Sequence, residues 1–424
     1  MSCFGIEDSY ICWKLIHLIL FIMETSNYNL PLLDLLNNNT PEYTTVSLKS
    51  VLESESFKNS KAELPVALGI TTDGKVKVAD IAEMPHLLIA GAARQGKTNF
   101  IKTMIMSLLY SKKPSEVKFM MIDPKMVELR QFSDLPKDRF AMADIQDCTE
   151  AEHQNPIITA PTDAEKALLS LCAEIEKRYG LLAEANVRDI KTYNKKNPEQ
   201  VLPYIVLFID EYADLIIPGF GINTCAMSAK INNSIISLAQ KGRAVGLHAV
   251  MTTQRASHDV IDSLVKTNFP ARAAFRVVTL MDSKTILDQT GAEMLDGKGD
   301  MLYSAGVELE RIQCPYITND EIERTTDYIS KHMESDGCGY YRLPDKPANE
   351  LGNATSANKK DPMFDEIVTF VSKKSQITAA NLQRSFGVGY IRANRIIDQL
   401  CKDGVIAPDN GKYRVLHKEK SPKR

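Results

Sequence analysis

An α/β fold with a mostly parallel sheet, followed by a small winged helix-turn-helix, is what this 424-residue sequence predicts. Three observations carry the prediction. Between residues 66 and 335, short runs that are apolar throughout alternate with longer runs at helical spacing, the pattern of a parallel sheet covered on both faces. Gly91, Asp123, Asp210 and Gln254 fall at the carboxyl ends of those runs, where such sheets bind ligands. Beyond a Gly/Pro/Asn/Ser-rich linker at 336–360, three helical runs precede a hairpin pattern with an Asn-Gly turn.

Taken in order, residues 1–23 read as an apolar extension, with Met23 as a second candidate start. Its apolar stretch 10–23 contains Lys14 and His17 and is shorter than the roughly 20 residues a bilayer span needs. No basic leader or small-residue cleavage site accompanies it, so neither an integral membrane segment nor a signal peptide is expected; a short membrane-surface helix is the lesser alternative. Residues 24–65 form a lead-in with one amphipathic stretch, TVSLKSVLESESF. The motor-like core at 66–335 has strand runs HLLIAG (86–91), VKFMMID (117–123), YIVLFID (204–210) and GLHAVMTTQ (246–254). Its helical runs lie at 98–113 and 163–187. The winged-helix region spans 361–417, and 418–424 is a basic tail.

Composition is that of an ordinary globular chain, 44% hydrophobic and 25% charged, with net charge −3. The charge is unevenly spread: residues 361–424 carry 12 Lys/Arg against 7 Asp/Glu, on an otherwise acidic body. That suggests a small module with a polyanionic partner, or simply a solvated basic tail. Eight cysteines without a C-x-x-C pair read as reduced cytoplasmic thiols, neither a disulfide frame nor a zinc site.

The chemistry starts at GAARQGKT: Gly91, Ala92, Ala93, Arg94, Gln95, Gly96, Lys97 and Thr98. This is the P-loop spacing, set between a strand run and a helical run. Successive backbone N–H groups cradle phosphates, Lys97 reaches the β- and γ-phosphates, and Thr98 offers its hydroxyl to Mg²⁺. VLFIDE ends in Asp210, a second Mg²⁺ residue, and Glu211, placed to polarise an attacking water. An Asp-Glu order suits a hydrolase better than a kinase. Gln254 ends the next strand run, as a γ-phosphate sensor or a plain polar strand end. Arg243 precedes that run and lies outside the phosphate pocket of its own chain. It reads equally as an arginine finger for a neighbouring copy or as a structural ion pair.

These segments together resemble the FtsK/SpoIIIE family of DNA translocases. The resemblance rests on MPHLLIAGAARQGKTNFIKTMIMSLLY, KFMMIDPKMVEL, RYGLLAEANVRDIKTYN, LPYIVLFIDEYADLI, LAQKGRAVGLHAVMTTQR, TNFPARAAF and DSKTILDQTGAEMLDGKGDMLY, in that order. The C-terminal LQRSFGVGYIRANRIIDQL resembles the family's γ domain. The resemblance implies a RecA-like ATPase that assembles as a homo-hexamer on double-stranded DNA and uses ATP and Mg²⁺ to pump it, as in chromosome segregation at division, beside division or recombination proteins. It also implies that Arg243 is the finger. Three departures stand out: the chain shows neither the family's membrane spans nor most of its α domain, of which 24–65 reads as a remnant, and Arg94 is bulky for a P-loop. A reduced cytoplasmic member is expected, with peripheral membrane association an open alternative.

The recognition helix is expected at 390–402, presenting Tyr390, Arg392, Asn394 and Arg395 to base edges, since Arg pairs bidentately with guanine and Asn with adenine. Arg384, Lys412 and Arg414 suit phosphates, which position without specifying. Lys284 and Lys298 are further candidate DNA contacts. The alternatives to a chromosome pump are a motor for mobile-element or plasmid DNA, and a protein-secretion ATPase of the same superfamily, which has no need of a DNA-reading tail.

Overall fold

The computed structural model describes residues 46–143, 155–217, 225–306, 308–332 and 339–344. In the C-terminal part it describes 363–386, 393, 396–397, 399–401, 403, 405–409 and 412–416. The chain divides into two compact units, Met1–Lys346 and Pro347–Arg424.

In the first unit, helices α1 (Leu48–Leu52) and α2 (Glu55–Lys58) precede strands β1 (Pro65–Thr71), β2 (Val76–Asp80) and β3 (His86–Ala90). Helix α3 (Lys97–Ser111) leads to β4 (Val117–Ile122), β5 (Ala141–Ala143) and β6 (Ile157–Ile158). Helices α4 (Pro161–Glu184) and α5 (Ile190–Lys196) come next, then β7 (Tyr204–Ile209), α6 (Tyr212–Ile216), α7 (Cys225–Lys241) and β8 (Leu247–Thr253). The unit continues through α8 (Ser263–Asn268), β9 (Ala271–Phe275), α9 (Leu280–Leu287), β10 (Asp300–Ser304), β11 (Leu309–Gln313), α10 (Asn319–His332) and β12 (Tyr341–Leu343).

Ten strands form one sheet in the order β2-β1-β11-β10-β9-β3-β8-β7-β4-β6. From β9 to β6 every pairing is parallel; from β9 to β2 every pairing is antiparallel. The four expected strand runs all lie in the parallel half. β3, β4, β7 and β8 are buried along their whole length because both faces are covered. Leu87, Ile89, Phe119, Met121, Val206 and Phe208 face one core with Phe100, Ile101, Met104 and Leu108 of α3. Leu88, Ala90, Met120, Ile122, Leu207 and Ile209 face the other with Leu168, Leu171 and Ile175 of α4 and Ile231 and Ile235 of α7. Alternate residues thus enter opposite cores, and each fully buried large side chain contributes about 1.5–3 kcal/mol.

Two boundaries differ from the sequence reading. The lead-in is part of the motor core from Val46 onward: Val46, Leu48, Val51, Leu52 and Phe57 are buried in the α3-side core. At the other end, β12 pairs in parallel with β5, so the first unit runs past residue 335 into the stretch expected to be linker.

In the second unit, α11 (Phe364–Ser372), β13 (Gln376–Ile377), α12 (Ala379–Phe386), β14 (Ile406–Asp409) and β15 (Lys412–Val415) surround a separate core. β14 and β15 pair with Asp409 opposite Lys412, leaving two residues between the strands, as the Asn-Gly hairpin pattern predicts. Between α12 and β14, Ala393, Ile396, Ile397 and Leu400 are helical and buried, the apolar face of the expected recognition helix.

Candidate active site

Strand register assembles the site. Parallel pairing sets Ala90 opposite Thr253, Thr253 one residue short of Gln254, and Ile209 opposite both Met251 and Ile122. The residues that follow these strands, Gly91, Gln254, Asp210 and Asp123, therefore share one edge of the sheet. β8 lies between the P-loop strand β3 and the Asp-Glu strand β7.

The P-loop needs its glycines. Gly91 has φ +152° and Gly96 has φ +120°. A Cβ on Gly96 would lie 2.8 Å from the Cα of Gly299, and one on Gly91 would lie 2.8 Å from the Cβ of Phe275. Arg94 sits in the left-handed region at φ +61° and is exposed. Ala92 N–H donates to the Arg276 carbonyl (2.9 Å), fixing the loop to the end of β9. The Lys97 ammonium is buried and donates to the carbonyls of Gly91 (2.8 Å) and Ala92 (2.7 Å). Burial pushes its pKa down to about 8, against the opposing pull of Glu211, Asp210 and Glu128.

Asp210 and Glu211 are both buried. The Thr252 hydroxyl donates to Asp210 Oδ1 (2.7 Å) and accepts from Glu211 N–H (3.1 Å). Burial raises the Asp210 pKa to about 6, with Asp123, Glu128 and Glu211 adding to the rise and the Thr252 bond opposing it. Glu211 holds a left-handed backbone at φ +49°, which costs a non-glycine residue on the order of 1 kcal/mol. Its carboxylate accepts from the Thr253 hydroxyl (2.9 Å) and from Gln254 N–H (3.0 Å). The TTQ tip of β8 thus grips both acids, while the Gln254 side chain is exposed into the cleft.

That cleft, about 390 Å³, is lined by Arg94, Gly96, Lys97, Thr98 and Gln254 on the phosphate side. Its other wall comes from residues the sequence reading did not single out: Asn99, Lys102, Glu128, Tyr316, Ile317 and Asn319. Asn99 donates to the Pro315 carbonyl (2.5 Å) and accepts from Ile317 N–H (3.1 Å), joining α3 to the 314–319 segment. Lys102 pairs with Glu128 (3.4 Å) and donates to Asn319 (3.3 Å). Glu128 is placed by Asp123. The fully buried Asp123 carboxylate accepts from the backbone N–H groups of Lys125, Val127, Glu128 and Leu129 (2.9–3.1 Å). The Asp-Pro-Lys block signalled this loop; nothing local signalled 314–319, which arrives after two antiparallel strands.

Lys298 also lines this cleft, beside the P-loop. Lys284 is exposed on α9. Arg243 lies at the opposite edge of the sheet from the cleft, beyond the amino end of seven-residue β8, about 20 Å away at 3.3 Å per residue. It is 60% exposed and pairs with Glu83 at 3.1 Å.

The oxygen donor set fits a nucleotide-bound Mg²⁺. Thr98 borders the cleft, and Asp210 keeps Oδ2 beyond its bond to Thr252. Among the described residues no cluster of three His, Cys, Asp or Glu could hold a metal by itself. Of the residues expected to meet DNA, Arg384 and Arg414 are exposed on the second unit, and Lys412 lies on β15 opposite Asp409. Tyr390, Arg392, Asn394 and Arg395 lie outside the described residues. Among the described residues no helix is long and apolar enough to cross a membrane.

A glycine cradle, a buried lysine and an Asp-Glu pair one strand away define a P-loop nucleoside triphosphate site on a RecA-like α/β fold. The FtsK/SpoIIIE family model matches residues 47–258, and the family's γ domain model matches 358–415. The chain belongs to the FtsK/SpoIIIE family. It is 41% identical over 375 residues to a DNA translocase FtsK of Chlorobaculum tepidum, covering 86% of this chain and 44% of that one. It is 38% identical over 409 residues to the DNA translocase FtsK of Haemophilus influenzae, covering 88% and 72%. The chain thus spans less than half of the first relative's length. Among solved structures it resembles the pCW3 conjugation coupling protein TcpA in monomer form with ATPgS, at 26% identity and TM-score 0.53, over 68% of this chain and 75% of that one. It also shares its fold with the cytoplasmic domain of the Thermomonospora curvata type VII secretion ATPase EccC, at 18% identity and TM-score 0.52, over 68% and 34%.

Proposed function

We propose that this protein is an ATPase that pumps double-stranded DNA, working in the cytoplasm as a ring of identical subunits. The observation that carries the reading is the joining, on one chain, of a winged-helix unit that matches the γ domain model and a P-loop cleft lined by Lys97 and Gln254, with the buried Asp210 and Glu211 at the same sheet edge. Lys97 would leave the Gly91 and Ala92 carbonyls for the β- and γ-phosphates, and Glu211 would orient the attacking water from its seat on the tip of β8. Mg²⁺, held by Thr98 and Asp210 when bound, would neutralise phosphate charge. Ring assembly is supported by the position of Arg243, exposed about 20 Å from its own cleft and free to serve a neighbour's once it parts from Glu83. Arg384, Lys412 and Arg414 would meet the DNA backbone, while the residues at 390–395 would read bases. The substrate would be a chromosome at division, beside division or recombination proteins. A second reading, transfer of mobile-element DNA, is favoured by the likeness to the TcpA conjugation coupling protein.

ATP hydrolysis by the purified full chain, with and without long duplex DNA, tests the proposal. Strong stimulation by duplex, abolished in Lys97→Ala, is expected. A basal rate that duplex leaves unchanged would overturn it.

A further inference from the structure

We propose that Lys298 is a second phosphate-binding lysine, serving the same triphosphate as Lys97 from the same chain; this rests on the nucleotide-site reading above. The turn that carries it is bolted to the P-loop. Gly299 N–H donates to the Gln95 carbonyl (2.9 Å), and Cys314 N–H donates to the Gly299 carbonyl (2.8 Å). Asp300 N–H donates to the Gly297 carbonyl (3.1 Å), and the Gln313 amide donates to the Lys298 carbonyl (3.2 Å). Asp300 is itself tied to Arg311 at 2.6 Å. The backbone of 297–299 therefore has little freedom to move relative to Gln95 and Gly96.

The approach between turn and loop demands glycine at 96, and the turn itself holds two glycines, Gly297 and Gly299, at positive φ. A Cβ on Gly96 would meet Gly299 Cα at 2.8 Å, and a Cβ on Gly297 would meet the Gln95 amide oxygen. Between two such glycines stands a lysine, at φ +55°, with Gly297 at +82° and Gly299 at +99°. Glycine would hold this left-handed backbone at lower cost, so what the position gains is the long cation. Lys298 is exposed and lines the cleft with Arg94, Lys97, Thr98 and Gln254. A triphosphate brings several negative charges into a cleft lined by Glu128 and felt by the buried Asp210 and Glu211, with Lys102 already engaged by Glu128. A lysine acts on phosphate as a mobile point charge and needs no fixed fork geometry.

The experiment compares Mg²⁺-ATP, Mg²⁺-ADP and AMP binding, by calorimetry, to the full-length wild type, Lys298→Met, Lys298→Arg, Lys298→Gly and Lys97→Ala. Lys298→Met and Lys298→Gly should weaken ATP about five- to tenfold, ADP less and AMP not at all, while Lys298→Arg stays near wild type. Lys298→Gly relieves the left-handed strain, so its Tm should equal or exceed that of the wild type even as ATP affinity falls; a purely structural lysine would not separate the two. Unchanged ATP affinity in Lys298→Met, with or without weaker duplex binding, would overturn the assignment, as would an equal loss for ATP and AMP. If Lys97→Ala alone loses ATP, only Lys298 has been misassigned. If Lys97→Ala binds ATP as tightly as wild type, the nucleotide-site reading falls with it.

Discussion

Asp123 shows how one side chain can organise a wall of the cleft. Its buried carboxylate accepts four backbone N–H groups, and through them it places Glu128 against Lys102 and Lys125 against Asp214 (2.8 Å). Hydrogen bonds to a charged acceptor are worth about 1.5–3 kcal/mol each, although the exposed part of the loop recovers water when they are lost. Asp123→Ala should therefore destabilise the first unit by about 3 kcal/mol, read as a fall in Tm, and weaken ATP binding through the displaced Glu128 loop. His86 and His248 show the opposite case. Both are buried at the amino ends of β3 and β8. Burial pushes His86 down to about 3 and His248 to about 4. Arg243 lowers both, His248 further lowers His86, and Asp80 and the Pro85 carbonyl pull His248 back up. In the unfolded chain both take protons near pH 6.5. The stability they confer is full above that pH and is lost as pH falls toward 4, because only the unfolded state binds protons there. His248 stacks on Tyr204 with ring centroids 5.9 Å apart; Tm should drop steeply between about pH 6.5 and 4.5, and His248→Phe, which keeps an aromatic ring there, should show a shallower drop.

At the scale of elements, β8 is the piece that ties the site together. Its carboxyl tip holds Asp210 and Glu211 through Thr252 and Thr253, and its amino end follows Arg243. If Arg243 serves a neighbouring subunit, Arg243→Ala should lose on the order of 10³-fold in kcat while ATP affinity holds. Mixing Arg243→Ala with Lys97→Ala protein should then restore activity, since each supplies what the other lacks. Unaltered kcat in Arg243→Ala would mean that the Glu83 ion pair is its whole role. The parallel strands were legible because burial on both faces leaves continuous apolar runs, as in FMMI and VLFI. β1, β2, β10 and β11 were not. β2 is half-buried along its length and β11 nearly so, and the β1–β11 pairing joins segments more than 200 residues apart, such as Ile70 with Gln313. The same long reach hid Asn319, which accepts from Lys102, and Tyr316, which lines the same cleft. Lys97, Asp210 and Glu211 were legible because each follows its strand by a fixed, short spacing. Glu211's grip by Thr253 was not, since it depends on which strand lies beside β7.

For the whole molecule, a P-loop unit and a winged-helix unit on one chain make directed movement along DNA the central claim. Hydrolysis alone does not establish it, because a DNA-stimulated ATPase can bind and release without advancing. The direct measurement is displacement of a third strand annealed to a long duplex, with ATP, by the wild-type chain and by Lys97→Ala. The account predicts ATP-dependent loss of the triplex with wild type and none with Lys97→Ala. A third strand that stays in place while the wild-type chain hydrolyses ATP on the same duplex would contradict it.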